Sequence, residues 1–193
     1  MDNDKERTST EEGLGNIVRD RIVKVCAESN EMSALLEGIA NIIIDHFSDA
    51  FTLDLVEDDG TIHRYITRHV NHDAQIEIEE LRTRFPLPAT AAYGYPRVIK
   101  TGKSQFMPGV SPRLIHRLFA NLDARMIVDG LSVRSFICVP LIAYGRTLGA
   151  LTVLRSDRPN PFTSDDLLLI EDLAPIIAKC LDDRFSHAIG KAL

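Results

Sequence analysis

Two neighbouring runs decide the fold: Ser135-Phe136-Ile137-Cys138-Val139-Pro140-Leu141-Ile142, then Thr147-Leu148-Gly149-Ala150-Leu151-Thr152-Val153-Leu154. Between them stands Ala143-Tyr144-Gly145-Arg146, a turn composition. The spacing predicts an antiparallel strand pair. Both runs are apolar at successive positions rather than alternate ones, so the sheet must be covered on both faces.

Downstream, residues 156–161 form a loop and a helix follows to about residue 185. Its start is readable. Thr163 serves as N-cap with Asp166 three residues on, and Phe162 and Leu167 take the two positions of a hydrophobic staple. The helix carries two apolar stripes. One is Leu167, Ile170, Ala174, Ile177 and Leu181; beside it run Leu169, Leu173, Ile176 and Cys180. One stripe suffices to dock on a sheet. The other calls for a second helix, in this chain or in a partner, unless the two make one wide core face. The first stripe is assigned here to a homodimer. Pro175 removes the backbone bond to Glu171 and predicts a kink.

Upstream, Leu14, Val18, Ile22 and Val25 lie at helical spacing over residues 14–29. A second helix spans 32–47, with Leu35, Leu36, Ile39, Ile42, Ile43 and Phe47 inward. Residues 51–56 and 62–67 form a hairpin across Asp58-Asp59-Gly60. Residues 73–84 read as a helix anchored by Ile76, Leu81 and Phe85, ended by Pro86 and Pro88. From there to about 130 the chain is rich in breakers, with a short strand at 104–107 and a helix opened by Ser111-Pro112. The order predicts an α+β fold: a central antiparallel sheet of five to six strands, long terminal helices on one face and an irregular helical insert on the other. One domain is expected over residues 14–185, with a disordered tail at 1–13 and a tail or linker at 186–193.

Composition narrows the function. The chain has 193 residues, 45% of them hydrophobic, and a net charge of −6, with only 6% aromatics and no Trp. That is one globular domain without the basic surface or stacking platform of a nucleic-acid binder. No apolar run is long enough to span a membrane. The N-terminus lacks a secretory core, so the expected location is cytoplasmic. Cys26, Cys138 and Cys180 are odd in number and far apart, the pattern of free thiols. His63, His69 and His72 match no ligand spacing. Asp58-Asp59 and Asp165-Asp166 are explained by turn and helix-start chemistry. No catalytic or phosphate-cradling motif is present, and the expected protein is not an enzyme.

The strand pair, the segment Phe162-Thr163-Ser164-Asp165-Asp166-Leu167, and Val98-Ile99-Lys100-Thr101-Gly102-Lys103 upstream resemble the GAF domain family over about residues 20–185. The resemblance implies a sensory or regulatory module, of the kind found ahead of histidine kinases and other outputs. A small molecule would lie between sheet and insert, and dimeric terminal helices would relay its binding to an output module in the same chain or another. The alternative is a ligand-free homodimerisation module. The cofactor is left unknown. Arg155-Ser156 and Leu167 depart from the cyclic-nucleotide pattern, and no Cys is followed by His as in bilin-binding members. A GAF-type reductase of free methionine sulfoxide would need clustered pocket cysteines.

A pocket wants an apolar lining with a few aimed polar groups. The expected lining is Tyr93, Tyr95, Phe106, Met107, His116, Phe119, Arg125 and Met126 from the insert, over a floor of Phe51, Leu53, Phe136 and Cys138. Arg113 or Arg125 is the expected partner of an anionic ligand. The plain alternative is a mini-core with surface arginines. Strand alternation alone leaves open which parity faces the pocket.

Overall fold

The computed structural model describes the backbone of residues 2–190 and the side chains of 13–111 and 113–184. Five antiparallel strands form one sheet in the order β2-β1-β5-β4-β3. They are β1 (Ala50–Val56), β2 (Ile62–His69), β3 (Gln105–Met107), β4 (Ser135–Ala143) and β5 (Arg146–Arg155). The two runs quoted above are β4 and β5. Their turn places Tyr144 and Gly145 at φ 48° and 77°, the paired positive φ of a tight hairpin.

One face of the sheet is covered by α1 (Asp2–Glu28), α2 (Met32–His46) and α7 (Ser164–Gly190). Val18, Ile22, Leu35, Ile39 and Ile43 meet Phe51, Leu53, Ile137, Val139, Leu151 and Val153 there in the main core. The capping box forms as read: Asp166 Oδ2 accepts from the Thr163 N–H (2.6 Å), and Thr163 Oγ1 accepts from the Asp166 N–H (3.3 Å). The helix is continuous through Pro175, which lies on its exposed side.

The stripe on α7 needs correction. Ile170, Ala174, Ile177 and Leu181 are each at most 3% exposed, inside this chain's own core, and Leu167 packs against it. They cannot be a dimer face without opening the domain. The second stripe is also covered, because α1 packs beside α7: Leu169 approaches Gly15, and Cys180 meets Cys26. The backbone of α1 starts at Asp2 and that of α7 ends at Gly190, so both helices extend into the expected tails. The side chains of those tails, save Gly13, lie outside the described residues.

The opposite face is covered by α3 (His72–Arg84), α4 (Tyr95–Thr101), α5 (Pro112–Leu118) and α6 (Leu122–Gly130). Asn71 and Asn121 cap α3 and α6, each accepting two backbone N–H bonds, and Ser111 caps α5. Of the expected anchors of α3, Ile76 is 51% exposed, and the buried residue is Ile78, which was not among them.

Candidate ligand cavity

Between the sheet and α3, α5 and α6 lies a cavity of about 170 Å³. That is space for roughly six waters. Leu114, Ile115 and Leu118 of α5, Val128 of α6, Ile78 and Leu81 of α3 and Phe85 just past the end of α3 form its roof. Thr52, Thr152, Leu154 and Phe136 form the floor. Thr52 pairs with Thr152, and Thr152 with Cys138, so these residues make one row across three strands. Thr152 donates to Cys138 Sγ (3.2 Å). Complete burial pushes the Cys138 thiol up to about 12, so it stays protonated.

One end of the cavity is charged. Asp54 of β1 is fully buried, and Arg64 of β2 grips it with both arms: Nε to Oδ1 at 3.1 Å and Nη2 to Oδ2 at 2.8 Å. A β-bulge makes this possible. The register slips between Leu53, paired with Ile66, and Asp54, paired with Arg64. The extra residue on β2 re-aims the arginine onto the carboxylate. Arg82 of α3 stands on the other side, with Nε 3.5 Å from Asp54 Oδ1, and donates from Nη2 to the Ile62 carbonyl (2.6 Å). Both guanidiniums lie against the Tyr95 ring, at 5.8 Å for Arg64 and 5.1 Å for Arg82. Arg64, Arg82 and Tyr95 all line the cavity. Burial raises the Tyr95 phenol above its ordinary value, so it remains a hydroxyl and a possible donor.

Of the expected lining, Tyr95, Phe119 and Phe136 border the cavity. Phe51 and Leu53 do not: they face the helix layer, and the alternate residues Thr52 and Asp54 face the cavity side. Cys138 and Met107 pack beside Tyr95 and Phe136 without lining it, and Phe106 packs on the main core. Tyr93 lies outside the lining. His116 is exposed, and Met126 is 66% exposed. Arg125 is spent on structure, donating to the Phe119 and His116 carbonyls and so tying α6 to the end of α5. Arg113 is exposed and away from the cavity. The anion-facing arginines are therefore Arg64 and Arg82. A signal for Arg82 exists in the sequence: it sits in the helical stripe Ile78, Leu81, Arg82, Phe85, the one charge among apolar residues.

Among the described residues, no group of three or more His, Cys, Asp or Glu is placed to hold a metal ion, and no helix is long and apolar enough to cross a membrane.

The family model of the GAF domain matches residues 31–181, and the chain belongs to that family. No curated protein matches it closely enough to count as a relative. Solved structures share the fold. The GAF domain of a phosphoenolpyruvate-protein phosphotransferase from Coxiella burnetii is 14% identical, with TM-score 0.63 over 92% of this chain and 96% of that one. The GAF domain of a putative sensor histidine kinase from Pseudomonas syringae pv. tomato is 12% identical, with TM-score 0.62 over 96% and 99%. The free methionine-R-sulfoxide reductase of Neisseria meningitidis, in complex with its substrate, is 19% identical, with TM-score 0.60 over 94% and 93%.

Proposed function

We propose that this GAF domain is a cytoplasmic sensor of a small molecule, bound in the cavity between sheet and insert. The carrying observation is the cavity itself: an apolar chamber with a charged group at one end, roofed by the short helices α5 and α6. Such a chamber is the form a ligand site takes. Ordering the roof on a ligand shifts the equilibrium of the segments that close it. β4 is the shared wall: Phe136 borders the cavity, while Ile137, Val139 and Leu141 pack among the helices. A change at the floor therefore reaches α7, and through it α1, the two helices that carry the signal to an output module. Dimerisation falls to outward positions of these helices, such as Ile17, Val23 and Leu168, each about half exposed.

The Neisseria neighbour marks an enzymatic alternative on the same fold. None of the three cysteines lines this cavity, which favours binding over thiol chemistry there.

Neutral cavity probes test the reading. Toluene and octan-1-ol should shift the methyl resonances of Leu114, Ile115 and Val128. They should also slow tryptic cleavage at Arg113 and Arg117, both exposed on α5. Unshifted methyls and equal cleavage with and without either compound would sink it.

A further inference from the structure

Resting on the cavity reading, we propose that the ligand is an apolar-bodied monoanion, a carboxylate above all, whose head is bound by Arg82 with Tyr95 beside it. At the cavity's charged end two guanidiniums face the single carboxylate of Asp54. Asp54 offers one negative charge, and both its oxygens are taken by the two-armed contact from Arg64. Arg82 is left over. Its Nε is buried and hydrogen-bonds to nothing; Asp54 Oδ1, at 3.5 Å, lies outside hydrogen-bonding geometry. The one hydrogen bond of its guanidinium among the described residues goes to the neutral Ile62 carbonyl.

A guanidinium has five N–H donors in a planar fork, and leaving a buried one unpaired is costly. Its charge stands beside an apolar wall with the side chain 21% exposed, so solvent screens it only in part. The group that relieves it brings one negative charge and a flat pair of acceptors, which is a carboxylate. A phosphate monoester brings about two charges and three acceptor oxygens, more than one spare arginine matches. The rest of the ligand is apolar, because the walls beyond Arg82 and Tyr95 are Ile78, Leu81, Leu114, Ile115 and Val128. Tyr95 adds a protonated hydroxyl, and both guanidiniums lie over its ring.

The test compares ligands with one body and three heads: octanoate, octan-1-ol and octylamine, titrated into the full chain and followed by the cavity methyl resonances. Octanoate should bind at least tenfold tighter than octan-1-ol, and octylamine weakest. Arg82→Met, close in length but uncharged, should erase the advantage of octanoate over octan-1-ol. Equal affinity of octanoate and octan-1-ol for the natural chain overturns this inference and leaves the cavity reading standing. No methyl shift with any of the three overturns both. Should Arg82→Met fail to fold, the comparison of octanoate with octylamine on the natural chain decides alone: octylamine binding as well as octanoate overturns the proposal.

Discussion

Cys180 is the least ordinary thiol in the chain. It sits on α7 against Cys26 of α1, and Arg184 points at it from one turn on, Nη1 to Sγ at 3.3 Å. Protonated, Cys180 donates to the Cys26 carbonyl at 3.8 Å. Ionised, it accepts from the Cys26 thiol and is faced by the guanidinium. These contacts outweigh its partial burial and bring Cys180 down to about 7, while Cys26 is pushed up. The thiolate is the reactive form. Alkylation of Cys180 by iodoacetamide should therefore rise through pH about 7 and fall away toward pH 5. Cys138, fully buried and raised to about 12, should stay unmodified until the chain unfolds. Arg184→Met should move the Cys180 midpoint upward, because the Arg184 charge favours the thiolate. Peptide mass mapping across a pH series reads all three; a midpoint for Cys180 near that of a free thiol would overturn the assignment.

At the scale of elements, the sheet's centre depends on one residue without a side chain. Gly149 of β5 lies across from Leu55 of β1, and a Cβ there would stand 2.1 Å from the Asp54 carbonyl oxygen and 2.9 Å from Leu55 Cα. Backbone on a central strand cannot yield cheaply. Gly149→Ala should cost about 3 kcal/mol and should disturb the Asp54–Arg64 contact, since the strand that must move carries Asp54. Denaturant unfolding checks the first claim, and octanoate affinity the second. The start of α7 and the two hairpins were legible because their signals are local: Thr163 with Asp166, the Asp58-Asp59-Gly60 turn, the long apolar runs of β4 and β5. The face of β1 was not. Phe51 and Leu53 look like a pocket floor, but β1 is covered on both sides, so apolar residues on it mark burial and not the cavity. The polar alternates Thr52 and Asp54 carry that information. Arg64 was illegible for a further reason: its aim depends on the bulge, a property of two strands together. Arg82 stands in the stripe that Ile78, buried where Ile76 is exposed, shares with Leu81 and Phe85.

At the scale of the molecule, the two helical layers have different tasks, and α7 separates them. Its stripe looked free in the sequence because period alone cannot say how much of a helix a sheet and a neighbouring helix will cover. Here Ile170, Ala174 and Ile177 are buried in the main core where α7 packs on β4, α1 meets Leu169 and Cys180, and Leu168 at 59% exposure is left outward. Ile177→Glu and Leu168→Glu then separate folding from assembly. Ile177 is fully buried, and an unpaired carboxylate there costs several kcal/mol, a large fraction of a domain's stability. Ile177→Glu should therefore unfold the protein outright, with loss of the cooperative thermal transition. Leu168→Glu should keep that transition within a few degrees and still bind octanoate. Light scattering on the Leu168→Glu variant should report a smaller particle than the natural chain if α7 meets a partner copy through its outward side. A folded, monomeric Ile177→Glu would instead restore the buried stripe as the dimer face. An unchanged particle size for Leu168→Glu would move assembly to α1, where Ile17 and Val23 are the outward apolar residues that remain.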